Sequence, residues 1–231
     1  MEKSVKKFIN SIKFSGFVVA ILWIVHLWNS GTGISLSRYG VFPRETDGLI
    51  GILTAPLIHG SWEHLISNSA PLFVTMTMIS FFYKRVAIPS FIFIYLLTGS
   101  AVWLFGRSVY HIGASGVVYG LVAFIFWSGI FRRNIKSIIL ALIVIILYSG
   151  YLGGILPLQE GISWESHLMG GIVGIIVAYI FKGIIEQDET KEDPWADEED
   201  EEGKYLLSRD TFMKTKQQRL MERDDDFLHL P

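Results

Sequence analysis

The sequence predicts an all-α membrane protein: six transmembrane helices followed by an acidic, disordered C-terminal tail. Three observations carry this. Of 231 residues, 51% are apolar and only 18% charged, against roughly 25% charged in soluble domains; the mean hydropathy is +0.41. Six apolar runs approach the 17 to 25 residues that span about 30 Å of hydrocarbon as a helix. Charge is also segregated, because residues 187–231 hold 15 of the 22 acidic and 7 of the 20 basic side chains, leaving residues 1–186 at a net +6. The division predicted is therefore a six-helix domain over 1–186 and a tail over 187–231.

The first run, 14–29, follows Lys3, Lys6, Lys7 and Lys13. No small-x-small cleavage site follows it and further spans come after, so it reads as a retained helix rather than a signal peptide. The remaining runs are 64–83, 86–106, 115–131, 136–152 and 166–185. Basic residues alternate across them: the four N-terminal lysines, then Lys84 and Arg85, then Arg132, Arg133 and Lys136, then Lys182 fall on one side. The other side holds only Arg38, Arg44 and Arg107. The positive-inside rule then places both termini in the cytoplasm. Lysine-led topology and a minimal six-helix core point to the plasma membrane of a prokaryote, its inner membrane. The tail, with EDPWADEEDEEG and ERDDDFLHLP, is too charged to bury a core.

With no cysteine, disulfides, thiol nucleophiles, cysteine-bound zinc and iron–sulfur clusters are excluded. Serine, histidine and carboxylate chemistry remain. Polar groups inside a span are costly and mark function, and four of those here converge on one side. His64 and Asn68 lie four residues apart at the start of the second span, so both project from one helical face. Ser61 can cap that helix and Glu63 sits at its positive end. Ser115 opens the fourth span, where backbone N–H groups lack intrahelical partners and can receive an oxyanion. Tyr119 is one turn deeper on the same face. Gly116 and Gly120, and in the sixth span Gly170 and Gly174, form strips that let helices approach closely. That approach would bring the Ser115 hydroxyl within reach of His167, as nucleophile and general base, with His64 and Asn68 opposite as oxyanion donors. Glu165 is two residues before His167 and points elsewhere, so the arrangement is a dyad.

These residues resemble the rhomboid intramembrane serine proteases. HGSWEHLISN resembles their His-x-x-x-Asn signature, GASGVVYG their Gly-x-Ser-Gly serine motif, and SHLMGGIVG their sixth-helix His with a following G-x-x-x-G. The resemblance covers residues 14–185 and implies a rhomboid-like bundle with Ser115 as nucleophile and His167 as base. It further implies an oxyanion hole from the Ser115 N–H, His64 and Asn68, packing of Tyr119 on the His167 ring, and a turn shaped by Gly113. The implied substrates are single-pass membrane proteins, cut in or near their transmembrane helix within membrane lipid, by an enzyme open to water on the extracytoplasmic side. In one respect the chain departs from the family: residues 30–60 lack the Trp-Arg pair often found in the first external loop and offer Pro43 and Arg44 instead.

Other readings are weaker. His59, Glu63 and His64 do not have zinc-protease spacing, so no metal and no cofactor is expected. Val117 stands where a lipase-type G-x-S-x-G elbow needs glycine. His59 reads as a loop-stabilising group, His26 and His111 as structural. Seven Trp and nine Tyr suit interfacial belts, not nucleic-acid stacking. The alternatives are a catalytically inactive rhomboid-like protein that binds membrane helices, and a small transporter. Oligomeric state is not legible.

Overall fold

A computed structural model describes residues 2–157, 161–184, 186, 213–218 and 220. Its described residues form helices and turns without a strand; one isolated bridge joins Val41 and His111. The chain divides into two compact units, 1–189 and 190–231. In the second, a turn is described at which Thr215 and Gln218 exchange backbone and side-chain hydrogen bonds. The disorder expected for 187–231 otherwise concerns residues outside those described.

The long helices of the first unit are α1 (Glu2–Thr32), α2 (Trp62–Phe82), α3 (Ala87–Phe105), α4 (Ser115–Arg132), α5 (Ile135–Tyr148) and α6 (Trp164–Phe181). Five of them are long and apolar enough to cross a membrane. The exception is α5, whose 14 residues rise only about 21 Å. A 3₁₀ helix, Ser149–Ile155, continues it, so the expected span 136–152 is met by two kinds of helix. The first helix starts far earlier than position 14, taking in the lysine-bearing turns, within which the Ser11 and Ser15 hydroxyls donate back to the carbonyls of Lys7 and Ser11.

Side chains cap three of the other starts, those of α2, α5 and α6. Ser61 accepts from the His64 N–H, Asn134 from Ser137 and Ser163 from Ser166, each satisfying a donor with no intrahelical partner. Pro71 sits inside α2. Arg133 closes α4 in the left-handed region, φ 54°.

At the centre stands α4, more than half of it buried. Its Val118, Leu121, Phe124 and Ile125 pack into one core with Leu72 and Ile79 of α2, Ile94 of α3, Leu140 and Val144 of α5 and Val177 of α6. On α5, by contrast, Ile135, Leu142 and Ile146 are exposed, as side chains facing lipid should be. The helix that opens with Ser115 is thus the one most completely held by its neighbours.

The loop between α1 and α2 is not a plain connection. Thr46–Ile50 and Ala55–Leu57 are 3₁₀ helices flanking an α-helical turn at Gly51–Thr54. Gly48 and Gly51 let this segment lie directly on the backbone at Phe42 and at Gly40–Val41. Arg44 anchors it: the guanidinium donates to the carbonyls of Leu104 and Gly106 and to the Ser108 hydroxyl. The cation thus meets the unsatisfied carbonyls at the end of α3. Trp103 Nε1 donates to the Glu45 carbonyl at 2.9 Å. Anchoring of the loop therefore does not need a Trp-Arg pair within residues 30–60.

Candidate active site

Two glycine strips set the depth and approach of the site. A Cβ on Gly170 would overlap the Gly116 carbonyl, and one on Gly174 the Gly120 carbonyl. Helices α4 and α6 therefore touch backbone to backbone, a contact available only to residues without side chains. Gly116 also lies against Ser166. The residues next to Ser115 and next to His167 are thereby in contact, at the same end of both helices.

Ser115 is half-buried as the first residue of α4. Its N-cap, Ala114, offers no side-chain cap to the first N–H groups of the helix. Ahead of it Gly113 has φ 106°, a conformation that L side chains rarely adopt. A Cβ there would also run into the His64 ring. The Gly113 N–H donates to the Ala55 carbonyl at 2.9 Å, which fixes the turn to the loop helix.

His167 is 7% exposed. Its Nδ1 lies 2.8 Å from the Gly154 carbonyl, an acceptor only, so Nδ1 carries the proton and Nε2 keeps its lone pair. The ring stacks on Tyr119, centroids 4.1 Å apart and planes 8° from parallel. Tyr119 in turn donates to the Tyr151 carbonyl at 2.7 Å. Among the described residues no hydrogen bond joins Ser115 Oγ to His167.

His64 occupies the first turn of α2 and Asn68 the next. The Asn68 amide donates one N–H to the His64 carbonyl at 2.9 Å, which leaves its second N–H. His64 packs edge-on against His59, centroids 5.0 Å apart. The carboxylate of Glu165 pairs with Arg107 Nε at 2.8 Å and, among the described residues, makes no hydrogen bond to His167, whose Nδ1 is held by the Gly154 carbonyl.

Around this site runs a polar girdle. His111 Nδ1 lies 2.5 Å from the Ser163 hydroxyl, which also meets Ser166 Oγ at 2.7 Å. His111 Nε2 lies 3.0 Å from the Arg107 carbonyl. Burial pushes the His111 pKa down, with the bond to the Arg107 carbonyl acting against it. His59 is pushed down to about 4, first by burial and then by neighbouring His64. A cavity of about 30 Å³, lined in part by Thr98, Val102, Gly113, Gly116 and Ser166, lies beneath the serine turn, large enough for one water. Thr98 Oγ1 is buried there without a partner. Among the described residues no group of three or more His, Asp or Glu could hold a metal ion.

Sequence reasoning missed two groups, the Gly154 and Tyr151 carbonyls, which hold the His167–Tyr119 pair; His59, read from the sequence as a loop-stabilising group, accepts from the Ala114 N–H at 3.4 Å. The two carbonyls are backbone atoms, invisible to any motif. The one signal was Gly154 itself, where a Cβ would overlap Tyr119 Oη and crowd His167 Nδ1.

Residues 46–183 match the model of the Rhomboid domain family. An uncharacterized protein of Mycobacterium tuberculosis is 37% identical over 176 residues, covering 70% of this chain and 71% of the relative. The same figures hold for an uncharacterized protein of Mycobacterium bovis. An uncharacterized protein of Mycobacterium leprae is 35% identical over 175 residues, 70% of this chain and 68% of its own length.

Proposed function

We propose that this chain, which belongs to the rhomboid family and is a membrane protein, is an intramembrane serine endopeptidase acting through Ser115 and His167. The observation that carries the reading is the state of His167. Its Nδ1–H is committed to the Gly154 carbonyl and its ring is held flat on Tyr119, so the remaining nitrogen is a neutral, oriented base. His167 Nε2 takes the Ser115 hydroxyl proton as Oγ attacks the scissile carbonyl carbon. The resulting oxyanion is received by the Ser115 N–H, the His64 ring and the second Asn68 N–H. His167 returns the proton to the leaving amine, forming an acyl-enzyme on Ser115. Water, deprotonated by the same nitrogen, then releases the acid. The cavity under the serine turn is a place from which that water could come.

The substrates proposed are single-pass membrane proteins cut in or near their transmembrane helix. The protease domain is 1–186 and 187–231 a cytoplasmic tail, with both termini cytoplasmic in a bacterial plasma membrane. Catalysis calls for no cofactor and no metal. A second reading, a catalytically inactive binder of membrane helices, is favoured by one observation: no hydrogen bond links Ser115 to His167. Labelling membranes with a serine-reactive fluorophosphonate separates them. The enzyme labels, and Ser115→Ala and His167→Ala each abolish labelling in folded protein; a folded wild type that does not label is the binder.

A further inference from the structure

His59 takes no part in the proposed chemistry, yet it reaches the turn that carries the nucleophile. It lies between the loop helix ending at Leu57 and the Ser61 cap of α2, and its ring is 1% exposed. Nε2 accepts the Ala114 N–H at 3.4 Å. That donor belongs to the start of α4, where no intrahelical acceptor exists and some other group must supply one. One residue earlier, the Gly113 N–H is held by the Ala55 carbonyl. Two consecutive N–H groups before Ser115 are thus gripped by acceptors from one short segment, residues 55–59. The His64 ring closes the other side, against both Gly113 and His59.

We propose that His59 is a positioning residue: by holding the Ala114 N–H it keeps the Gly113–Ser115 turn aimed, so that the Ser115 N–H and hydroxyl, and not the Ala114 amide, meet the reacting carbonyl. The inference rests on the dyad proposed above. Only a neutral imidazole protonated at Nδ1 can accept at Nε2. Burial and the neighbouring His64 of α2 and His26 of α1 hold His59 neutral down to about pH 4, with the Leu57 carbonyl acting in the opposite sense. The grip therefore persists throughout the range in which an ordinary histidine titrates.

The test uses the full-length protein in detergent micelles with two readouts, the rate of fluorophosphonate labelling and the amide exchange of Ala114 by NMR. Glutamine places an acceptor where Nε2 stands; asparagine reaches only to Nδ1, and phenylalanine keeps the ring without an acceptor. His59→Gln is expected to label within about twofold of wild type. His59→Phe and His59→Asn should label about tenfold more slowly and exchange Ala114 about tenfold faster, the loss of one hydrogen bond. Wild-type labelling and exchange in folded His59→Phe would overturn the inference. If His59→Phe does not fold, equal values for His59→Gln and His59→Asn overturn it. If wild-type protein does not label, the protease reading fails by itself, and Ala114 exchange still decides the His59 assignment.

Discussion

Tyr119 and His167 lie face to face, 4.1 Å between centroids, and both are tied by hydrogen bonds to the same 3₁₀ segment, through the carbonyls of Tyr151 and Gly154. The segment therefore sets the plane and the tautomer of His167, the proposed base, together. Removing the Tyr119 hydroxyl frees one tie, whereas removing the ring also frees the stack. Tyr119→Phe is expected to label within about threefold of wild type and Tyr119→Ala at least about tenfold more slowly, both folded; equal rates for the two would show that the stack does not orient His167.

Gly154 is the tightest point of this arrangement. A methyl group there displaces Tyr119 Oη and crowds His167 Nδ1, while Gly150 and Gly153 have open space around the Cβ position. Gly154→Ala should slow labelling by more than about tenfold, and Gly150→Ala and Gly153→Ala should not. Unchanged kinetics in all three would place the base elsewhere.

The glycine strips make a prediction about stability. Gly170→Ala forces a Cβ into the backbone carbonyl of Gly116, which cannot move without separating α4 from α6, whereas Gly171 has nothing nearby. Overpacking of this kind costs about 1–3 kcal/mol. Thermal unfolding in detergent should show Gly170→Ala destabilised on that scale and Gly171→Ala unchanged or slightly stabilised by the better helix propensity of alanine. A destabilised Gly171→Ala with an intact Gly170→Ala would be inconsistent with the packing.

Glu165 separates a dyad from a triad. Its carboxylate is paired with Arg107 at 2.8 Å, and the His167 Nδ1–H goes to the Gly154 carbonyl instead. Glu165→Gln is expected to label within about threefold of wild type, and a loss of a hundredfold or more would make this carboxylate a third member of the site.

Acid should act on the protein in two ways. Labelling should fall as His167 protonates, since the imidazolium is no base. Stability should fall by a separate route. His59 has its pKa lowered from 6.5 to about 4 by folding, so the unfolded chain binds this proton first. The folded state keeps its full advantage above about pH 6.5 and loses it progressively toward pH 4, by about 3 kcal/mol in all. His111, also lowered by burial, shifts stability in the same direction. Chemical unfolding of wild type and His59→Gln at pH 7 and 4.5 isolates the His59 part: the variant should lose less on acidification, and parallel losses would contradict the shift.

Much was determined by sequence alone, because the quantities involved are local. Apolar run length and loop charge locate the spans, and the i, i+4 spacings of His64 with Asn68 and Gly116 with Gly120 put each pair on one helix face, whatever the rest of the chain does. The serine, histidine and asparagine motifs carry the family resemblance for the same reason. Tertiary structure decided what depends on groups distant in sequence. It ended the α-helical part of the fifth span at Tyr148 and continued it as a 3₁₀ segment whose Tyr151 and Gly154 carbonyls meet Tyr119 and His167. It turned the loop between α1 and α2 into a helical brace held by Arg44 on the end of α3. It also brought His59, 55 residues away along the chain, under the Ala114 amide. Each of these is a hydrogen bond from or to a backbone atom, which every residue possesses, so no pattern of side chains announces it.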